Sequence, residues 1–120
     1  LALANPKLAP YGRAARQVLQ ARGLWKGLRG RAARGENISQ AYQFVKSGAA
    51  ELGFVAWSQI QRPGGAIEGS YWAPPASLHD PIEQQAVILK EMEAARAFLA
   101  FAKSAEARRI IRSYGYEGAS

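Results

Sequence analysis

Apolar residues recur along this chain with changing period, and the changes mark out its elements. Leu1 to Ala4 is a short apolar run ending at Asn5-Pro6, a turn signal, and reads as a buried strand. From Gly12 to Arg22 the spacing becomes helical: Ala15, Val18 and Leu19 fall on one face, and Gly23 follows as a stop. Trp25 to Ala33 is polar and reads as a loop with a weak strand. A second helix opens at Asn37, a good N-cap, with Gln40 three residues later in a capping-box-like arrangement. Ile38, Ala41, Tyr42 and Val45 form its apolar stripe, and Gly48 ends it. Leu52 to Trp57 then reads as a buried strand, Arg62 to Gly65 as a loop, and Ser70 to Trp72 as a short strand. Pro74, Pro75 and Pro81 flank another loop. Gln85 to Leu89 is expected to be a strand and Glu91 to Ala102 a helix burying Ala95, Phe98, Leu99 and Ala102. Ser104 caps a last helix, expected to pack through Ala107, Ile110, Ile111 and Tyr114 and to close at Gly115. Strands alternating with helices predict an α/β fold, a mainly parallel sheet flanked by helices.

Composition narrows the function. A chain of 120 residues with 48% hydrophobic content is one ordinary domain, and no run of about 18 apolar residues spans a membrane. The chain opens Leu1-Ala2-Leu3 with no basic leader, so a processed or truncated chain is expected. With no cysteine there is no disulfide or thiolate metal site. The single histidine, His79, sits beside Asp80 and Pro81 in a loop and reads as a surface residue, so no protein-ligated metal is expected. There is no Gly-rich phosphate loop, no G-x-S-x-G elbow and no histidine pair, and the expectation is a protein that is not an enzyme. The net charge of +7 favours anionic partners. Its clearest cluster is Arg22, Lys26, Arg29, Arg31 and Arg34. No aromatics interleave with these residues as a single-strand platform requires, so they read as a solvated face and no nucleic acid is expected.

Two strand-to-helix turns carry the candidate chemistry: Pro10-Tyr11-Gly12 and Glu36-Asn37-Ile38-Ser39-Gln40. A helix N-terminus presents unpaired N–H groups and the positive end of the helix dipole. In open α/β sheets, ligands bind beyond the carboxyl ends of the strands, where such helices begin. Ile38 starts an apolar stripe, so only its backbone N–H can face a ligand. Tyr11 offers an N–H and a phenolic O–H. Gly12 and Asn37 stand beside them as further candidates. A tetrahedral dianion, whose every oxygen is an acceptor, suits these donors. The commoner reading of such turns is structural: Asn37 as a cap alone, Tyr11 as a packed surface residue. The residues by themselves leave both open.

The segments ANPKLAPYG (4–12), GENISQAYQFV (35–45), LGFVAWSQ (52–59) and KSAEARRIIRSYGY (103–116) resemble, in order, the molybdate-binding periplasmic proteins that feed ABC importers. That resemblance implies a type II periplasmic binding protein: two α/β lobes joined by two crossing strands, with the oxyanion between them. It implies backbone N–H donation from Tyr11 and Ile38, molybdate or tungstate as ligand without a cofactor, a periplasmic location, and a membrane permease driven by ATP-hydrolysing subunits. Residues 1–82 match the second, anion-binding lobe. Residues 83–120 match the returning strand and C-terminal helices, which in the family pack on a first lobe that would lie upstream of Leu1. Phe98, Leu99, Ile110 and Ile111 then need another partner, and a homodimer through these helices is expected. Two departures stand out. Ala56 occupies a position where some members place a ligand-reaching tyrosine, and RGRAARGEN is polar where a strand is expected. The alternatives are a lobe that folds or dimerises without binding a ligand and, behind it, a basic nucleic-acid-binding module.

Overall fold

The computed structural model describes residues 1–61 and 63–117. Arg62, in the loop expected at 62–65, and residues 118–120 of the C-terminal segment lie outside the described residues. The sheet is built on β1 (Ala2–Ala4), whose three residues are all buried, as an apolar run between two neighbours requires. On one side β1 pairs in parallel with β2 (Ala33–Gly35), Ala2 opposite Ala33 and Ala4 opposite Gly35. On the other, Ala2 forms a parallel bridge to Gly53: the Ala2 N–H donates to Leu52 O at 2.8 Å, and the Phe54 N–H donates to Ala2 O at 2.9 Å. The predicted parallel α/β arrangement is therefore present, with β1 in the middle. The polarity of RGRAARGEN is explained by β2 being an edge strand with Ala33 and Arg34 exposed and only Gly35 buried.

Helix α1 (Pro10–Ala21) starts with proline at its first position, where no N–H is needed. It buries Ala14, Ala15, Val18 and Leu19 against the sheet, at about 1.5–3 kcal/mol for each of the two larger side chains. Gly12 lets it lie directly on β1: a β-carbon there would stand 2.2 Å from Ala4 O. The polar segment after α1 folds as α2 (Trp25–Leu28) and a 3-10 turn (Arg29–Arg31) before entering β2. Helix α3 (Ile38–Lys46) has the predicted cap. Asn37 Oδ1 accepts the Gln40 N–H at 2.9 Å, and Gln40 Oε1 accepts the Glu36 N–H at 2.7 Å. Ala41, at its centre, is fully buried.

The expected strand over Leu52–Trp57 is corrected. Only Gly53 bridges the sheet, and Trp57 already opens a short helix, α4 (Trp57–Ile60). The expected strands at 70–72 and 85–89 do not form. Val87 and Leu89 are 79% and 93% exposed, so this apolar run has no neighbouring strand to pair with. Residues 63–82 instead run along the α/β unit as irregular chain with one 3-10 turn, Ala76–Leu78. Gln17 on α1 holds Asp80 twice, through Nε2 to Oδ2 at 2.8 Å and by accepting the Asp80 N–H at 2.9 Å. Tyr71 packs on Trp57 with ring centres 5.2 Å apart, and the Arg22 guanidinium lies over Trp72.

Helices α5 (Glu93–Ala102) and α6 (Ala105–Ser113) pack chiefly on each other. Ser104 caps α6 as predicted, accepting the Ala107 N–H at 3.2 Å. The predicted packing faces are corrected, however. Phe98 is 71% exposed and Ile110, Ile111 and Tyr114 are also exposed; only Ala107 is buried. The radius of gyration, 16.7 Å, accordingly exceeds the roughly 13.5 Å of a typical 120-residue domain. No helix among the described residues is long and apolar enough to cross a membrane.

Candidate functional site

β1 and β2 end level with each other, since Ala4 faces Gly35 and the Asn5 N–H donates to Gly35 O at 2.7 Å. Parallel neighbours lie about 4.8 Å apart, so both chains leave the sheet side by side at its carboxyl edge. Each then turns into a helix. After β1, Asn5 builds the turn: its side-chain oxygen accepts the Lys7 N–H at 3.0 Å, and its carbonyl accepts from Leu8 and Ala9. After β2, Glu36 and Asn37 suffice. The two helix N-termini, α1 at Pro10 and α3 at Ile38, are brought to one edge by this topology.

Their backbone donors are open. Helix α1 has no side-chain cap, Ala9 being its N-cap. Among the described residues, neither the Tyr11 nor the Gly12 N–H meets a protein acceptor, although Gly12 is buried. The first N–H groups of a helix have no intrahelical partner, so these two are free for an acceptor from outside the helix. In α3 the Gln40 N–H is taken by Asn37 Oδ1 and the Ala41 N–H by Asn37 O. The Ile38 and Ser39 N–H groups have no partner among the described residues. Ile38 is half-buried, and Asn37 spends its side-chain oxygen on the cap. Sequence reasoning did not single out Ser39, whose N–H and hydroxyl sit on the exposed face of the same turn. A serine at the second helical position was the available signal.

The Tyr11 phenol is half-buried beside that of Tyr116, which follows α6. Its pKa is raised above the ordinary value of 10.0, first by burial and then by the neighbouring Tyr116 phenol, so it is a neutral donor at physiological pH. Ala56, at the position where the resemblance places a ligand-reaching tyrosine in some members, is buried; its N–H donates to Gln59 Oε1 at 2.9 Å. The arrangement offers neutral N–H and O–H donors and two helix N-termini at one edge of the sheet, which suit a dianion without a fixed countercharge. A shallow, open hollow lies elsewhere, along α5, between Ile88, Glu91, Arg96 and Lys103. The helix ends open instead onto a face. The basic residues Arg22, Lys26, Arg29, Arg31 and Arg34 are exposed, as a solvated surface should be.

A parallel sheet with two helix starts at its carboxyl edge fits a known class. Residues 1–117 match the family of bacterial extracellular solute-binding proteins, and the chain belongs to that family. Within it, the chain is 47% identical over 119 residues to the molybdate-binding protein ModA of Azotobacter vinelandii, covering 97% of this chain and 47% of that protein. It is 48% identical over 119 residues to the ModA of Rhodobacter capsulatus, again over 97% of this chain and 46% of the relative. The solved structure of the Azotobacter vinelandii periplasmic molybdate-binding protein superposes with a TM-score of 0.91 at 41% identity, covering 99% of this chain and 54% of that one. The fold is thus the α/β fold of the type II periplasmic binding proteins. The chain spans about half the length of the relatives it matches.

Proposed function

We propose that this chain is part of the substrate-binding component of a molybdate ABC importer. It holds a tetrahedral oxyanion at the N-termini of α1 and α3 and performs no chemistry on it. The carrying observation is the pair of donor sets without a partner among the described residues, Tyr11 and Gly12 on one helix and Ile38 and Ser39 on the other, at one edge of the sheet. The names of the molybdate-binding relatives support molybdate as the oxyanion, with tungstate as its near-isostere. In this reading residues 1–82 are the anion-binding lobe, and residues 83–120 return towards a complementary lobe that closes over the ion. The working protein acts in the periplasm and delivers its ion to a membrane permease; no cofactor, metal ligand set or nucleic-acid partner is proposed.

Energetics support a shared site. Charge-assisted hydrogen bonds contribute about 1.5–3 kcal/mol each. A micromolar site needs about 8 kcal/mol net of ordering costs. Four backbone donors on an open face leave affinity to be gained from closure. The exposed apolar residues of α5 and α6 favour a second reading for the 120-residue chain on its own: a homodimer through these helices, with or without retained ion binding.

Calorimetric titration with molybdate, with sulfate as the control, tests the function. Saturable heat with molybdate and a weaker response to sulfate is the expected result. No heat with molybdate up to millimolar concentration overturns the binding reading and leaves a folded lobe that associates through α5 and α6.

A further inference from the structure

The two helix ends that the proposed site joins are also joined by side chains from elsewhere in the chain. Ser58, on α4, donates through Oγ to the Tyr116 hydroxyl at 2.8 Å, a contact spanning 58 residues of sequence. The Tyr116 phenol in turn lies beside that of Tyr11, on the first turn of α1. The next residue of α4, Gln59, reaches the other helix: its Nε2 donates to Ile38 O at 3.2 Å. Its Oε1 is fixed by the Ala56 N–H, so the amide is held at both ends. Gly115 seats the tyrosine by lying flat on Trp57; a β-carbon there would come within 2.2 Å of Trp57 Cδ1, and its φ of 86° suits glycine alone.

We propose that this polar bridge, Tyr116 to Ser58 and Gln59 to Ile38, sets the spacing of the α1 and α3 N-termini, making Tyr116 and Gln59 positioning residues for the oxyanion site. The proposal rests on the functional reading above. Its physical logic is preorganisation. Donors on two separate helices bind one ion well only if their separation is held before the ion arrives. The sheet fixes that separation at the strand ends, but five residues lie between β1 and α1, and the bridge restrains the helix starts themselves. It also makes the segment after α6 part of the site's scaffold, although α5 and α6 otherwise pack chiefly on each other.

The test combines Tyr116→Phe, Gln59→Leu and their double variant, with Tyr114→Phe as the control on the same turn. The first reading needs no ligand: NMR titration of ring-labelled tyrosines and the amide positions of Tyr11 and Ile38. Tyr116→Phe is expected to lower the titration midpoint of Tyr11 and to move the Ile38 amide, which lies across the bridge from the substitution. The second reading is molybdate affinity. Each single variant is expected to weaken binding about threefold to tenfold, as for the loss of one net hydrogen bond, and the double variant by less than the product. The control is expected to change neither reading. An unaltered Tyr11 titration and Ile38 amide in Tyr116→Phe overturn the bridge. Bridge signals that change while affinity stays at the control's value overturn its positioning role. A wild-type chain without any molybdate response overturns the functional reading, and with it the positioning role, while the ligand-free reading still decides whether the bridge exists.

Discussion

The α/β unit built on β1 and the helix pair α5–α6 are written with the same kind of amphipathic pattern, yet they end up in opposite conditions. Val18 and Leu19 on α1 are buried beneath their helix. Phe98 on α5 and Ile110 on α6 occupy equivalent stripe positions and stand 71% and 46% exposed. Periodicity identifies which face of a helix is apolar. Whether that face is covered depends on what the rest of the chain brings to it, and only the first unit brings a sheet.

The sharpest way to break this contrast is Gly12→Ala. The added carbon would stand 2.2 Å from Ala4 O, so α1 must lift from β1. Destabilisation of about 3 kcal/mol is expected in urea unfolding, at the upper end of overpacking costs. Next comes Ile38→Pro, which separates stability from binding. Proline is tolerated at the first helical position, and Asn37, at φ −146° and ψ 175°, already has the extended backbone that proline demands before it. Loss of the Ile38 N–H should weaken molybdate binding by about 1.5–3 kcal/mol, roughly tenfold to a hundredfold, while the melting temperature changes little. Asn37→Ala should instead cost about 1 kcal/mol of stability through loss of the Gln40 cap. The smallest stability effect is expected for Phe98→Ser, within about 0.5 kcal/mol of wild type. If the exposed face of α5 and α6 joins two copies, the same substitution lowers the mass seen by light scattering across a concentration series. A wild-type chain that stays monomeric at every concentration removes the homodimer.

Alkaline pH sharpens the comparison within the site. The folded-state pKa of Tyr11 is raised, so the stability tied to its neutral phenol is fully present below about pH 10, its unfolded value, and is lost as pH rises through the higher folded value. Tyr11→Phe should therefore flatten the fall of melting temperature as pH rises above about 10.

What could be read from the sequence was local. The Asn37 cap, the Gly23 stop after α1 and the Ser104 cap each act through neighbours within four residues, and all stand where their chemistry places them, whereas Pro10, read as part of a turn before a helix from Gly12, itself opens α1. The donor turns at Tyr11 and Ile38 were legible for the same reason, as helix starts following strands. Apolar runs without such punctuation misled. Leu52–Trp57 and Gln85–Leu89 have strand composition, but a strand exists only where a neighbour pairs with it, and β1 offers its free edge to Gly53 alone. The Tyr116–Ser58 contact joins residues 58 apart and leaves no local pattern to find.

Whether backbone donors on two helices hold one oxyanion is decided by amide NMR of the chain during a molybdate titration. The Tyr11, Gly12, Ile38 and Ser39 amides are expected to shift together along one saturable curve, while those of Phe98 and Ile110 stay in place. Saturable shifts centred on Arg29, Arg31 and Arg34, or none at the two helix starts, would contradict a two-helix site.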